Sequence, residues 1–269
     1  MRKLKLLLLS FIFCFAGLVH AEQGGQVLTF GIITQQSPTE LAKLWGPVCQ
    51  YLSKQTGYQI QFKTSKDLDS FWKDTSKGAF DIIYVSSPRY VYANTKPGYV
   101  AFAKVGESPL VVIIVARKDG PANIKELKGK KLAVPSLNAL AAQLSDAYLR
   151  KNGIDVSLIA VNSHDSVYKT VEKGLYPAGT SNLHIFGMLE SAKQAEFRML
   201  WQSDPLPPFA FAAHPRVSPE AIYNIQQAML KMDDNSVGRK LLAMLNVKAI
   251  VAANDSDYNV MRKLKIKLE

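Results

Sequence analysis

The chain alternates short, unbroken apolar runs with stretches whose apolar positions recur every three or four residues. Val27–Ile33 reads VLTFGII, the pattern of a strand buried on both faces. From Pro38 to Leu52 the apolar residues fall at Leu41, Leu44, Trp45, Val48, Tyr51 and Leu52, a stripe down one side of a helix. Tyr58–Lys63 reads as a second strand, Leu68–Lys77 as a second helix and Gly78–Val85 as a third strand. The apolar run Leu110–Ala116 and the turn cluster Arg117-Lys118-Asp119-Gly120-Pro121 then introduce a second series. It comprises a strand at Lys131–Val134, a helix at Leu140–Asn152 closed by Gly153, a strand at Val156–Val161 and a helix at Val167–Lys173 ending at Gly174. Ser181–Ala195 is expected to be helical, Phe197–Trp201 a strand and Leu206–Ala213 an extended crossing. Ser218-Pro219-Glu220 places a cap before a proline at the first helical position, and two helices follow through Met232 and Asn246. This alternation predicts an α/β fold with largely parallel sheets.

Two α/β series joined by two extended crossings divide the chain into lobes. Residues 22–113 plus 210–269 are expected to form lobe 1, and residues 114–209 lobe 2, inserted between the crossings. A ligand is expected in the cleft, with the crossing strands as its hinge.

The first residues stand outside this pattern. Residues 1–21 carry Arg2, Lys3 and Lys5, then an apolar run from Leu6 to Leu18, then Val19-His20-Ala21 with small residues at −3 and −1. That is the pattern of a cleavable secretory signal peptide. The run is shorter than the ~20 residues a spanning helix needs. The whole chain has 269 residues and a net charge of +11, from 33 Lys+Arg and 22 Asp+Glu; without residues 1–21 the charge is +8. Export also removes Cys14 and leaves Cys49 alone, so no internal disulfide forms and a packed core must hold the fold. Cys49 sits in an apolar helical stretch and reads as a buried structural thiol. The basic residues are scattered, and an exported protein with this charge is expected to attract small anions or the anionic envelope, not nucleic acid.

Several stretches, in order, resemble one family. Gly31-Ile32-Ile33 with Pro38-Thr39-Glu40-Leu41 and Trp45-Gly46-Pro47 resembles its opening strand and helix. Gly78-Ala79-Phe80-Asp81 resembles its G-x-x-D strand, and Ile124 to Val134 its I-x-x-L-K-G-K-x-h-A-h signature, where h is apolar. Ser163-His164-Asp165 and Val171-Glu172-Lys173-Gly174 resemble its S-H-D loop and V-x-x-G helix end. The chain is thus similar to the phosphate-, phosphite- and phosphonate-binding branch of the periplasmic solute-binding proteins of ABC transporters. The resemblance implies a two-lobed periplasmic-binding-protein-like fold. It also implies a small anionic ligand, an ABC permease as partner and a periplasmic location.

The resemblance and the helix-start arithmetic select the same residues. A helix N-terminus offers unpaired N–H donors and about half a positive charge. Ser136 and Asn138 precede the helix at Leu140, and Ser86 and Ser87 occupy the matching turn after the third strand, flanked by Tyr84 and Tyr90. With His164 of the S-H-D loop, the candidate ligand-binding residues are Tyr84, Ser86, Ser87, Ser136, Asn138 and His164. Each has a plainer alternative: turn or cap for the serines and Asn138, core aromatic for Tyr84, a self-satisfied loop residue for His164. Arg89 reads as a solvated surface charge, with an anion clamp as the alternative, and Trp45, Trp72 and Trp201 read as core.

Three departures bear on the ligand. Phosphonate-binding members carry a Ser-Thr-Ser-Gly-type run where this chain has Ser136-Leu137-Asn138-Ala139. They also place an Asp shortly after the V-x-x-G glycine, where this chain reads Leu175-Tyr176-Pro177. The tyrosine they carry near the first crossing is replaced by Ser108-Pro109-Leu110. An acid that meets a substrate ammonium is therefore missing. The alternatives are a ligand-sensing subunit that reports to a membrane kinase or cyclase, and an enzyme on the same fold. Against an enzyme, the chain has no G-x-S-x-G, H-E-x-x-H, P-loop, G-x-G-x-x-G or C-x-x-C. His164, His184 and His214 lack metal-ligand spacing, so neither metal nor cofactor is expected.

Overall fold

The computed structural model describes residues 25–106 and 108–263; the expected signal peptide at 1–21 lies outside the described residues. The elements in chain order are β1 (Val27–Ile32), α1 (Pro38–Thr56), β2 (Gln59–Lys63), α2 (Leu68–Ser76), β3 (Ile82–Val85), α3 (Ser87–Thr95) and β4 (Val100–Val105). Next come β5 (Val112–Arg117), β6 (Lys131–Val134), α4 (Leu140–Lys151), β7 (Ser157–Ala160), α5 (His164–Glu172) and β8 (Ala178–Asn182). The chain continues through α6 (Leu183–Gly187), α7 (Ser191–Gln194), β9 (Phe197–Gln202), β10 (Ala210–Ala213), α8 (Pro219–Leu230), α9 (Ser236–Met244), β11 (Ile250–Ala252) and α10 (Asn259–Lys263).

Two sheets carry the two lobes. One is six-stranded, in the order β11-β4-β10-β3-β1-β2; the other is five-stranded, in the order β7-β6-β8-β5-β9. The sheets are mixed, not largely parallel. β1 pairs parallel with β2 and β3, and β6 with β7 and β8. β10 runs antiparallel between β3 and β4, β11 antiparallel to β4, and β5 antiparallel to β8 and β9. The reason is topological. β10 returns from the second lobe and enters the first sheet from the far end, so it must run against β3.

The crossings meet as a pair. Leu110 and Leu206 form an antiparallel bridge, with N–H···O distances of 3.0 and 2.9 Å in the two directions. These paired segments, on the way from β4 to β5 and from β9 to β10, are the hinge.

The structure departs from the sequence reading in three places. Ser87–Thr95 is a helix where only a turn was expected, and Val100–Val105 is an unforeseen strand. Ala178–Asn182 is a strand, so the expected Ser181–Ala195 helix survives only as α6 and α7. β8 is fully buried in mid-sheet, yet its sequence AGTSN is small and polar and carries no strand signature. Small side chains are needed there: a Cβ on Gly179 would lie 2.4 Å from Val167 Cγ1 of α5.

The core is apolar as expected. In the first lobe Phe30, Trp45, Tyr84 and Phe211 interlock, with ring centroids 4.8 to 6.2 Å apart. Cys49 is buried within α1, and burial pushes its thiol up to about 12. Among the described residues no helix is long and apolar enough to cross a membrane.

Candidate functional site

α3 and α4 start from corresponding places in the two lobes. α3 follows β3, and Pro88 in its first turn has the fixed φ that suits a helix start. α4 follows β6 by a short turn that ends at Ala139. Among the described helices of nine residues or more, α1, α2, α5, α8 and α9 are each capped by a side chain, from Ser37, Asp67, Ser163, Ser218 and Asn235 respectively. α3 and α4 are not. Ser86 at the N-cap of α3 makes no capping bond, and Ala139 at the N-cap of α4 has no group to make one. Both N-termini therefore keep unpaired N–H groups and the positive end of the helix dipole.

Those two ends open on one cavity of about 40 Å³. One water needs roughly 10–15 Å³ on the same measure, so the space suits a small polyatomic ion. Its polar lining is Gln35, Ser86, Arg89, His164 and Asn182, and its apolar walls include Trp72, Leu140 and Phe209. None of the described lining residues is acidic.

Arg89 is 4% exposed, which corrects its reading as a surface charge. It is in the first turn of α3, its guanidinium lies 4.3 Å over the ring of Trp72, and Nη2 donates to the Asn138 carbonyl of the other lobe at 2.6 Å. Trp72, expected in the core, is thus a cavity wall. Burial draws the Arg89 guanidinium down to about 10, which leaves it charged at neutral pH. No carboxylate lies within ion-pair distance of it among the described residues.

His164 is the first residue of α5, not a loop residue, and is also 4% exposed. Its Nδ1 is 2.8 Å from Ser181 Oγ. Burial pulls its pKa down to about 3, so the ring is neutral at physiological pH. The contact fits either neutral tautomer; in the one where the Ser181 hydroxyl donates to Nδ1, Nε2 carries the proton and, having no protein partner among the described residues, can donate to a ligand.

The other candidates fall around the cavity rather than in it. Tyr84 belongs to the aromatic stack, 5.1 Å from Phe209 and 4.8 Å from Phe211, and borders a neighbouring void of about 10 Å³. Ser87 is fully buried, and its Oγ has no hydrogen-bond partner among the described residues. Ser136 Oγ donates to Asp69 Oδ1 in the other lobe at 2.7 Å and accepts from the Asn138 N–H at 3.2 Å. Asn138 is exposed and is not the N-cap, a position that Ala139 takes; its contribution is the carbonyl that holds Arg89.

Further hydrogen bonds bring the lobes together around the cavity. The His164 N–H donates to the Gln35 carbonyl at 2.9 Å, and the Ser37 N–H to Asp165 Oδ2 at 3.3 Å. α3 itself is anchored from behind: the Tyr90 hydroxyl donates to Asp255 Oδ1 at 2.6 Å, and Arg262 Nη2 donates to the same oxygen.

Trp72, Gln35 and Asn182 were missed as site residues, and Arg89 was weighed as an anion clamp but left out of the candidate set. The signal that would have found Arg89 is Ser86-Ser87-Pro88 followed by Tyr90 and Ala93. This is the serine–proline helix start already seen at Ser37-Pro38 and Ser218-Pro219.

Comparison with known proteins agrees with this architecture. A family model described as the periplasmic substrate-binding protein of phosphonate ABC transporters matches residues 30–258. The chain is 21% identical over 248 residues to the phosphate-import protein PhnD of Mycolicibacterium smegmatis, covering 80% of this chain and 74% of that one. It is similar in fold to a binding protein component of an ABC phosphonate transporter from Pseudomonas aeruginosa, with a TM-score of 0.80, 21% identity, and 90% and 86% of the two chains covered. A similar likeness holds to PhnD1 of Prochlorococcus marinus in complex with methylphosphonate, with a TM-score of 0.79, 18% identity, and 90% and 99% covered.

Proposed function

The chain belongs to the periplasmic substrate-binding proteins of phosphonate ABC transporters, and we propose that its cavity holds a small phosphonate- or phosphate-like oxyanion that bears no ammonium group. It is a binding protein, not an enzyme, and it is periplasmic. The observation that carries the ligand reading is the pair of uncapped helix N-termini, α3 and α4, at one cavity with no carboxylate among its described lining residues. Backbone N–H groups at Ser87, Arg89, Leu140 and Ala141 are available as donors to the anion. Ser86 and the Nε2 of His164 add two more, and the partnerless hydroxyl of Ser87 stands beside them in the first turn of α3. Ser136 and Asn138 act one step back, holding Asp69 and Arg89 across the cleft. The missing acid leaves an ammonium group without a partner, and an unpaired charge is costly to bury. The methylphosphonate held by the Prochlorococcus relative is a ligand of the proposed kind.

In this reading residues 1–21 are removed on export, and the hinge closes the lobes on the ligand for delivery to an ABC permease. Thermal unfolding of the exported form tests the ligand. Methylphosphonate, phosphite and phosphate should each be compared with sulfate, acetate and 2-aminoethylphosphonate. An anion at 100 times its Kd should add about 2.7 kcal/mol of stability. Ser86→Ala and His164→Ala should each reduce that shift. A melting curve that no phosphorus oxyanion moves would overturn the reading. Copurification of the exported form with a sensor kinase instead of a permease would move it to signalling.

A further inference from the structure

The oxyanion reading leaves open what the cavity demands of its anion, and the surroundings of Arg89 bear on this. The guanidinium is buried, lines the cavity, and spends one N–H on the Asn138 carbonyl. Its Nε and Nη1 donors have no protein acceptor among the described residues. Asp69, the neighbouring acid, lies beyond ion-pair distance and is engaged by Ser136. Trp72 covers one face of the guanidinium, and both residues also border a more open hollow shared with Asp69 and Lys73.

Arg89 also sits where a cation is least welcome. It is in the first turn of α3, so its charge adds to the positive end of its own helix. Through Asn138 it reaches the start of α4, a second positive end. Each helix end is worth about half a charge, so with the guanidinium the cavity faces about two positive charges. His164 is neutral and adds none. The Asp69 carboxylate favours the charged guanidinium through space but forms no ion pair with it, so a ligand anion in the cavity would supply the direct partner it lacks among the described residues.

We infer that Arg89 is the specificity-determining residue that makes the cleft select doubly charged oxyanions over singly charged ones of the same shape. This rests on the oxyanion reading above. The ligand class it defines is a small phosphonate- or phosphate-type dianion. Sulfonates and carboxylates of equal size fit the space but leave about one positive charge uncompensated. An ammonium group on the ligand would restore that imbalance.

Methylphosphonate and methanesulfonate form the deciding pair, since they are near-isosteric and differ by one charge in mildly alkaline buffer. Their affinities for wild type, Arg89→Gln and Arg89→Lys should be measured by calorimetry. Wild type should favour the phosphonate by on the order of tenfold or more. Arg89→Gln should reduce that ratio by about tenfold, and Arg89→Lys should keep most of it while binding both anions more weakly. The ratio is taken within each variant, so it does not depend on equal stability; the unliganded melting temperature of each variant checks the fold. If Arg89→Gln retains the wild-type ratio, the inference fails and the oxyanion reading stands. If wild type binds neither anion, the oxyanion reading itself fails and takes the inference with it.

Discussion

His164 and His184 show what burial does to a single titrating group. Their pKa values fall to about 3 and about 4, against 6.5 for an ordinary histidine, in each case because burial disfavours the charged ring. The unfolded chain therefore takes up protons that the folded chain refuses as pH falls below 6.5. The stability these neutral rings permit is fully present above pH 6.5 and is lost progressively toward pH 4 and 3. The melting temperature of the unliganded protein should drop over that window, and His164→Gln should lessen the drop. An unchanged slope in that variant would place the acid sensitivity elsewhere. Cys49 allows a simpler check. Its thiol is held near 12 by burial, so a thiol-specific reagent at neutral pH should label the native protein far more slowly than the unfolded one. The burial of Cys49 could be read from its apolar neighbours in the chain. The burial of Arg89 could not, because its cover comes from Trp72 on another helix and from Asn138 in the other lobe.

Helix ends concentrate the design at the level of elements. Five of the long helices carry side-chain caps, and α3 and α4, whose first turns border the cavity, go without, a difference worth about 0.5–2 kcal/mol per helix. Ala139→Asp should therefore raise the melting temperature by capping α4, while its carboxylate occupies the anion's place and abolishes binding. A variant that gains stability and keeps full affinity would show that the α4 N-terminus is not part of the site. Gly179 matters for a different reason: it lets α5, and with it His164, pack closely on β8. Gly179→Ala should cost roughly 1–3 kcal/mol by overpacking and displace His164. Weakened binding together with a lowered melting temperature is the expected pair of readings. Strands with apolar runs, such as β1, β5 and β6, were legible from pattern alone. β8 was not, because its small residues answer to the helix above it and not to a strand propensity.

The sequence resolves the molecule best at the largest scale. Two α/β series and two crossings could be read from Val27 to Ala213, because hydrophobic alternation survives whatever the cleft contains. The mixed sheets were not foreseen, since pairing direction depends on where a crossing re-enters, and no local pattern records that. The hydrogen bonds joining Gln35 to His164, Ser37 to Asp165 and Asp69 to Ser136 span the cleft and belong to a closed arrangement. Scattering from the dissolved protein should show a smaller radius of gyration with methylphosphonate than without it. Asp69→Ala should weaken binding, because the Asp69 carboxylate helps to close the lobes through Ser136. The paired bridge between Leu110 and Leu206 carries one more consequence. It brings the entry and exit of the second lobe within one hydrogen bond of each other. A segment whose ends already touch can be exchanged as a cassette: a relative's inserted lobe, grafted between these two leucines, would bring its own α4 end and its own half of the anion's coordination. Ligand choice in this fold can thus change by recombination at a single doorway, with the lobe that holds Arg89 left as it was.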